Sequence, residues 1–330
     1  MLKFLAMLLL VGLPPLGVNI ASAAAAASDA SKEAYPRRPI RVIVPFPPGG
    51  SDIVARMLAL KLNDKLGQPF IIDNRPGAAG TLGADITSKA TADGYTVLFA
   101  TASFPVTAVS YKKLPYDPVK DFTAIARVGS VPFMLVTHSS VAAHSVKEFI
   151  ALAKANPGKL NYASTGQGSV GHLATVLFVK QTGIRVTHVP YKGTGPAVTA
   201  LLIGEVQFML PNLIGALQQV RAGKLKALAV ASAQRSPLAP DIPTMIESGV
   251  AGFVEGTWYG VIAPRGTPKS VISVLNREIV VLLKTKDLRD QLATRGVVPD
   301  ISTPQEFDKF IRSEIDKWAR VMKEAGISPT

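Results

Sequence analysis

The chain has 330 residues, enough for two domains of ordinary size, and its 48% hydrophobic and 18% charged residues are typical of a folded globular protein. Cysteine is absent, which excludes disulfides and thiolate metal sites. The formal net charge of +13 would suit an acidic partner, but the lysines and arginines are scattered and do not alternate with aromatic residues. Nucleic-acid binding is therefore not expected.

The first residues have the pattern of a cleavable export signal. A positive charge at Lys3 precedes the apolar run Phe4 to Leu13, and small residues up to Ala27 satisfy the A-x-A cleavage rule. The apolar run is short and is followed by two prolines, which disfavours a membrane anchor. We expect residues 1–27 to be a signal peptide and the mature protein to be in the periplasm.

Strand and helix patterns alternate through the rest of the chain. The apolar strand Ile40–Val44 leads to a helix over Asp52–Leu66, in which apolar residues recur with a period of 3.6. Repeated strand–helix–strand units predict an α/β protein with mainly parallel sheets covered by helices. A long amphipathic helix is predicted near the end of the chain, because Thr303 and Glu306 form a capping box with proline between them.

Two irregular stretches divide the alternating pattern into two lobes. Lys112–Asp121 is rich in proline and has no periodicity, and Ser232–Pro243 is also irregular. Such segments suit crossings between domains. We expect one lobe to comprise residues 28–121 and 232–330, and the other to comprise residues 122–231.

Each lobe is predicted to have a glycine-rich turn between a strand and a helix. In the first lobe Gly49 and Gly50 precede Ser51, and in the second the turn runs from Gly166 to Gly171. Glycine allows tight turns and the close approach of another atom. The N–H groups at the start of a helix have no intrahelical partner, and the helix dipole there favours negative charge. We expect both turns to donate hydrogen bonds to one anionic ligand held between the lobes.

The second turn also matches the G-x-G-x-x-G dinucleotide pattern, which requires an acidic residue about 20 positions later. Tyr191 and Lys192 lie in that region, and the next acidic residue is Glu205. A dinucleotide site is therefore disfavoured. Neither turn ends in the Gly-Lys-Ser/Thr of a nucleotide P-loop. A plain structural role, closing tight turns, is the remaining alternative for these glycines.

No catalytic motif is present. None of the four histidines lies in H-E-x-x-H, and no serine lies in G-x-S-x-G. His172 is equally consistent with a ligand contact and with packing, and Asp52 with helix capping and with a ligand contact. We expect a binding protein without cofactor or metal; the alternative is an exported enzyme that uses the second turn for a dinucleotide or phosphate-bearing substrate.

Ordered sequence blocks extend from Tyr35 to Ile327. They are Pro45-Phe-Pro-Pro-Gly-Gly-Ser-Asp52, Asp73-Asn-Arg-Pro-Gly-Ala-Ala-Gly80, Tyr162-Ala-Ser-Thr-Gly-Gln-Gly-Ser169 with His172, Val189-Pro-Tyr-Lys-Gly193 and Trp258-Tyr-Gly-Val-Ile-Ala-Pro264. In these blocks the chain resembles the Bug-type periplasmic receptors of the tripartite tricarboxylate transporters. The resemblance implies a hinged, two-lobed periplasmic-binding-protein fold that captures a small organic carboxylate and delivers it to a membrane permease.

The resemblance also implies a ligand site on the loop after the first strand and on the glycine-rich loop of the second lobe. The ligand-binding residues that it implies are Phe46, Gly49, Gly50, Ser51, Asp52, Ser164, Thr165, Gly166, Gly168, Ser169 and His172. Residues at the carboxyl ends of other strands are further candidates: Thr101, Ser103, Tyr191, Lys192 and Asn212. The spacing before Asp52 departs from the family. The family more often has two residues between the Gly-Gly pair and the aspartate, whereas here only Ser51 lies between Gly50 and Asp52. The residues that select one carboxylate over another are marked by no motif, and a role in signalling is an open alternative.

Overall fold

The computed structural model describes residues 35–329, in which strands and helices alternate as expected. The predicted signal peptide lies outside the described residues. The strands are β1 (Ile40–Val44), β2 (Phe70–Asn74), β3 (Thr96–Thr101), β4 (Phe122–Pro132), β5 (Met134–His138), β6 (Asn161–Ser164), β7 (Thr187–Pro190), β8 (Phe208–Met209), β9 (Leu225–Val230), β10 (Gly256–Pro264) and β11 (Val298–Pro299). The helices are α1 (Gly50–Leu66), α2 (Thr81–Ser88), α3 (Ser103–Ser110), α4 (Val146–Ala155), α5 (Val170–Thr182), α6 (Thr194–Leu202), α7 (Leu213–Arg221), α8 (Lys269–Lys284), α9 (Lys286–Ala293) and α10 (Pro304–Glu324).

The strands form two sheets, and the expected α/β class is confirmed. One sheet has the order β11-β4-β10-β3-β1-β2 and the other the order β7-β6-β8-β5-β9. In the first, β1 is parallel to β2 and β3, whereas β10 runs antiparallel to β3 and β4. In the second, β6 is parallel to β7 and β8, whereas β5 runs antiparallel to β8 and β9. Both sheets are thus mixed and not mainly parallel. In each sheet the strand that enters from the other sheet, β10 or β5, runs antiparallel to its neighbours.

The strand predicted at Phe122–Val128 belongs to the six-stranded sheet, although the sequence places it at the start of the second lobe. As β4 it continues to Pro132 and pairs with β10 over its whole length. The chain changes sheets at Phe133, between β4 and β5. The division into lobes at residues 121 and 231 remains a prediction.

Two connections carry the chain between the sheets, β4 to β5 and β9 to β10, and main-chain hydrogen bonds tie them together. Ala231 donates its N–H to Phe133 O (2.7 Å), Phe133 donates to Glu255 O (2.9 Å), and Glu255 donates to Ala231 O (2.9 Å). The segments that carry the chain between the sheets therefore form one hydrogen-bonded unit. From Pro36 onward the chain belongs to a single unit by its contacts.

Local sequence signals set several helix boundaries. Helix α1 ends at Gly67, which adopts the left-handed conformation of a C-cap. The capping box before α10 is formed: Thr303 Oγ1 accepts the N–H of Glu306, and the Glu306 carboxylate accepts the N–H of Thr303. Helices α3 and α9 and strand β11 were not expected from the sequence.

Each sheet has its own hydrophobic core, and α10 contributes to both. The core of the six-stranded sheet contains Ile43, Leu98, Trp258, Phe307 and Ile311. The core of the five-stranded sheet contains Phe149, Phe178, Phe208, Trp318 and Met322. The first half of α10 thus packs with one sheet and its last turns pack with the other.

None of the helices described is both long and apolar enough to cross a membrane.

Candidate functional site

A cavity of about 690 Å³ is lined by loops from both sheets. Gly49 and Gly166 both line it, so the two glycine-rich turns share one cleft as the sequence predicts. Most of the predicted site residues are brought together there: Phe46, Gly49, Gly50, Ser51, Thr101, Ser103, Ser164, Thr165, Gly166, Gly168, Ser169 and Asn212. Asp52, His172, Tyr191 and Lys192 do not line the cavity.

The position of the cavity follows from the direction of the strands. The lining loops leave the carboxyl ends of β1, β3, β6, β7 and β8, which is where α/β sheets place their ligand sites. Helices α1, α3, α5, α6 and α7 begin at these loops. The positive ends of several helix dipoles therefore converge on one cavity.

Several main-chain N–H groups of cavity-lining residues have no protein partner. In the first loop the N–H groups of Gly49, Gly50 and Ser51 make no hydrogen bond within the described residues. In the second loop the same holds for the N–H groups of Thr165, Gln167, Val170 and Gly171. Among the described residues that line the cavity, none has a charged side chain. The cavity is therefore suited to an anion held by peptide dipoles and hydroxyl groups.

The second loop is shaped by hydrogen bonds within it. Gly166 has φ +140°, a conformation that other residues rarely adopt. Ser164 Oγ accepts the N–H of Gly166 (3.2 Å) and donates to Gly166 O (3.0 Å). Ser169 caps α5, since its Oγ accepts the N–H of His172 (3.2 Å). These contacts leave the intervening N–H groups free for a ligand.

His172 supports this loop from behind. Its Nδ1 accepts the N–H of Gly168 at 3.1 Å, and the side chain is only 3% exposed. The imidazole stacks on His188 with ring centroids 4.0 Å apart, and His188 stacks in turn on Tyr162 at 4.8 Å. His188 Nε2 lies 2.6 Å from Ser164 Oγ. The histidine pair therefore contacts both ends of the glycine-rich loop.

Burial keeps both histidines neutral. It lowers the pKa of His172 to about 4, with a smaller contribution from the neighbouring His188. Burial also lowers the pKa of His188. A neutral His172 is required by the geometry, because Nδ1 can accept a hydrogen bond from Gly168 only when it carries no proton.

Asp52 is turned away from the cavity and organises the first loop. It is 3% exposed and accepts hydrogen bonds from Asn74 Nδ2 (2.9 Å) and Arg56 Nε (3.0 Å). Asn74 Nδ2 also donates to Phe46 O at 3.0 Å. Burial by itself raises the pKa of Asp52, but the hydrogen bonds from Arg56 and Asn74 outweigh it and the pKa is lowered. The Asp52 carboxylate is thus ionised and internally paired.

Asn74 has a supporting function that sequence reasoning missed. It follows Asp73 at the end of β2, in a conspicuous sequence block, but nothing in the sequence shows that its amide reaches the loop after β1. The pairing of β1 with β2 places Asn74 directly opposite Val44, beside that loop.

Tyr191 and Lys192 lie outside the cavity. The Tyr191 hydroxyl donates to Glu205 Oε1 at 2.9 Å, and burial together with this hydrogen bond raises the pKa of Tyr191 to about 12. Its N–H donates to Ser164 O, which joins it to the glycine-rich loop. The side chain of Lys192 is exposed. Gly193 and Thr194, which follow them, do line the cavity.

An apolar part of the lining was also missed. It is formed by Val106, Phe133, Val170, Met209, Leu210, Met322 and Ile327. These residues come from distant parts of the chain and share no motif. Among the described residues, no group of three or more histidine, cysteine, aspartate or glutamate side chains could hold a metal ion.

Comparison with known families matches residues 54–327 to the tripartite tricarboxylate transporter family receptor. The chain belongs to this family. The receptor is 43% identical over 315 residues to the protein BugT of Bordetella pertussis, a match that covers 94% of this chain and 96% of BugT. The predicted relation to Bug-type periplasmic receptors is thereby confirmed.

Solved structures agree with this assignment. The receptor is similar to R. palustris Rpa4515 with adipate, at 36% identity and a TM-score of 0.79, covering 90% of this chain and all of that one. It is also similar to MatC from Rhodopseudomonas palustris with bound malate, at 34% identity and a TM-score of 0.73, covering 87% of this chain and 99% of that one. The family fold is therefore shared over almost the whole described chain.

Proposed function

We propose that this receptor binds a small organic carboxylate between its two glycine-rich turns. The observation that carries the proposal is the set of unpartnered main-chain N–H groups at helix starts around a cavity whose described lining has no charged side chain. A carboxylate supplies the acceptors that these donors need. Relatives with adipate and with malate show that similar chains hold small dicarboxylic acids.

The affinity required of a receptor explains why both loops are needed. Binding at micromolar concentration takes about 8 kcal/mol. One charge-assisted hydrogen bond contributes roughly 1.5–3 kcal/mol, and immobilising the ligand has its own cost. One helix start is therefore insufficient, whereas donors from the loops of Gly49 and Gly166 acting together suffice.

The ligand contacts in this proposal are the predicted residues that line the cavity. Asp52 and His172 act through the loops: Asp52 through Asn74, and His172 through the N–H of Gly168. Tyr191 supports the second loop from outside the cavity through its N–H, and Lys192 has no part in ligand binding.

Delivery to a membrane permease of the tripartite tricarboxylate type completes the proposed function. It is supported by family membership and requires export to the periplasm, for which the first 27 residues supply a signal-like sequence. Two-lobed receptors enclose their ligand by hinge closure. In this proposal the hinge lies where the chain passes between the sheets, at the hydrogen-bonded residues Phe133, Ala231 and Glu255.

Isothermal titration with a panel of carboxylates, with NAD and inorganic phosphate as comparison ligands, tests the proposal. We expect saturable one-to-one binding of at least one carboxylate at micromolar concentration or below. Binding of NAD or phosphate in place of every carboxylate would instead support the enzyme alternative and overturn the proposal.

A single main-chain donor can be removed from the second loop by a substitution that suits a helix start. Val170 is the first residue of α5, its N–H has no protein partner, and Ser169 before it is extended (φ −71°, ψ 158°). Proline is favoured at such a position. We expect Val170→Pro to weaken carboxylate binding by tenfold or more, since one charge-assisted hydrogen bond is lost.

Lys286→Pro is the matched control. Lys286 is the first residue of α9, its side chain is 89% exposed, and Thr285 before it is extended (φ −68°, ψ 140°). Lys286 does not line the cavity, so the ligand affinity of Lys286→Pro should equal that of the wild type. Equal affinity for wild type and Val170→Pro would remove the second loop from the site.

A further inference from the structure

One wall of the cavity is formed where the last helix ends. Met322, in the final turns of α10, and Ile327, just beyond it, both line the cavity. The chain reverses at Gly326 (φ +66°), and the N–H of Ile327 donates to Met322 O at 2.9 Å. Met322 is 4% exposed and packs in the same core as Val106 and Phe133, which also line the cavity. We call this set of four the apolar wall: three of its members belong to the core, and Ile327 packs against it.

Two hydroxyl groups on α3, the helix that carries Val106, have partners inside the protein: those of Thr107 and Ser110. The hydroxyl of Thr107 donates to Phe104 O at 2.9 Å. The hydroxyl of Ser110 lies 3.6 Å from Met322 Sδ. Neither hydroxyl proton is therefore free to bind a charged group at the apolar wall.

The rest of the lining supplies no counter-charge either. None of the described cavity-lining residues is an arginine, lysine or histidine. One carboxylate can be held by the N–H groups of the glycine-rich loops. A second carboxylate placed against the apolar wall would lose its water without gaining a cationic partner, which is unfavourable.

We propose that the preferred ligand is a monocarboxylate with an apolar aliphatic or aromatic body, and that Met322 and Ile327 select it by packing against that body. This inference rests on the proposed function, because it assumes that a carboxylate is held at the loops. The relatives solved with adipate and with malate hold dicarboxylates, so these two acids are the comparison ligands for the inference.

Two ligand pairs that differ by one carboxylate test the inference: hexanoate against adipate, and benzoate against terephthalate. We expect the monocarboxylate of at least one pair to bind tenfold or more tightly than its partner by isothermal titration. In the series butanoate, pentanoate and hexanoate, affinity should rise about fourfold for each methylene buried.

Each other result has a definite meaning. A dicarboxylate, malate included, that binds as tightly as the best monocarboxylate overturns this inference and leaves the proposed function standing. Failure of every carboxylate to bind overturns both.

Met322→Lys places an ammonium group at the apolar wall. We expect the preference within the hexanoate–adipate pair to shift toward adipate by at least tenfold, whereas Val281→Lys, at a 41% exposed position on α8, leaves it unchanged. Because Met322 is buried, thermal melting shows whether the variant folds. If it does not, Ile327→Lys, at a partly exposed position, makes the same test. An unchanged preference in a folded variant assigns ligand selection to other residues.

Discussion

Asn74 holds the first glycine-rich loop through a single amide group. Its Nδ2 donates both to Phe46 O and to Asp52 Oδ1, and its Oδ1 accepts a hydrogen bond from Arg56 at 3.2 Å. The loop between β1 and α1 is thereby fixed from β2. Its shape depends on a residue that does not line the cavity itself.

Substitution of Asn74 should weaken ligand binding indirectly. We expect Asn74→Ala to lower carboxylate affinity about tenfold and to cost roughly 1–3 kcal/mol of unfolding free energy, because Asp52 and Phe46 O each lose a partner. Asn74→Asp should lower both the carboxylate affinity and the unfolding free energy further, since it places a second carboxylate beside Asp52. Titration calorimetry and urea unfolding measure the two effects.

Asn156→Ala is the control for Asn74. Asn156 also donates from its amide to a main-chain oxygen, Leu152 O, but at the exposed end of α4. Its removal should leave ligand affinity unchanged. A loss of stability without a loss of affinity in Asn74→Ala would show that the first loop does not need this support.

The buried histidines predict a stability that falls with acid. The pKa of His172 is lowered to about 4, against about 6.5 in the unfolded chain, so the unfolded state binds the proton first as the pH falls. The stabilisation is complete above about pH 6.5 and is lost progressively toward pH 4, on the order of 3 kcal/mol for this group. Urea unfolding from pH 7.5 to pH 4.5 measures it.

His172→Asn separates titration from hydrogen bonding. The asparagine oxygen can accept the Gly168 N–H in place of Nδ1, but it does not titrate. We expect the unfolding free energy of this variant to decline less between pH 6.5 and pH 4.5 than that of the wild type. Parallel curves for the two proteins would assign the acid sensitivity to other groups.

At the scale of residues, the sequence predicts the glycines of the site better than the polar side chains. Gly49 and Gly166 were predictable because the turns between strand and helix need a positive φ at these positions, which favours glycine. Asp52 and His172 lie beside the loops, but their orientation depends on Asn74 and His188, which are brought near only by strand pairing. No local pattern contains that information.

At the scale of elements, the turn between β6 and α5 depends on one backbone conformation. A Cβ atom on Gly166 would meet only Tyr191 O, at 3.7 Å, so the space is available and the strain comes from φ +140°. We expect Gly166→Ala to rearrange the turn and to weaken carboxylate binding at least tenfold while the protein stays folded. Titration calorimetry with circular dichroism checks both parts.

Gly183→Ala, at the other end of α5, is the matched substitution. Gly183 has φ +65°, and a Cβ atom on it would meet nothing within 4 Å. The substitution should cost about 1–2 kcal/mol of stability, as for any left-handed residue, with unchanged affinity. Similar affinity loss in both variants would mean that helix α5 as a whole, and not the turn, controls binding.

The elements that were predictable are those with strong end signals. Helix α10 begins at its capping box, and α1 ends at Gly67. Helix α3 lacks such signals: its sequence Ser-Phe-Pro-Val-Thr-Ala-Val-Ser has an internal proline and several β-branched residues. It is helical because Phe104 and Val106 are buried in the two cores, which is a tertiary effect.

At the scale of the whole molecule, α10 makes the two sheets depend on each other. Phe307 and Trp318 lie on the same helix but in different cores, and both are fully buried. We expect a single calorimetric transition, with equal calorimetric and van't Hoff enthalpies. Trp318→Ala should lower the unfolding free energy by about 3–5 kcal/mol. Two resolved transitions in the wild type would show that the cores unfold separately.

The arrangement of the sheets was only partly accessible from the sequence. Strand positions follow from local apolar runs, but the antiparallel direction of β10 and the length of β4 depend on partners more than 100 residues away. The change of sheet at Phe133 is therefore absent from any local pattern.

The cavity wall that the described residues form has no group that titrates near neutral pH. An anion can enter and leave without proton uptake or release by the wall, because fixed peptide dipoles balance its charge. Occupancy then follows the concentration of the ionised acid alone. Any coupling of transport to a proton gradient must then come from outside this cavity.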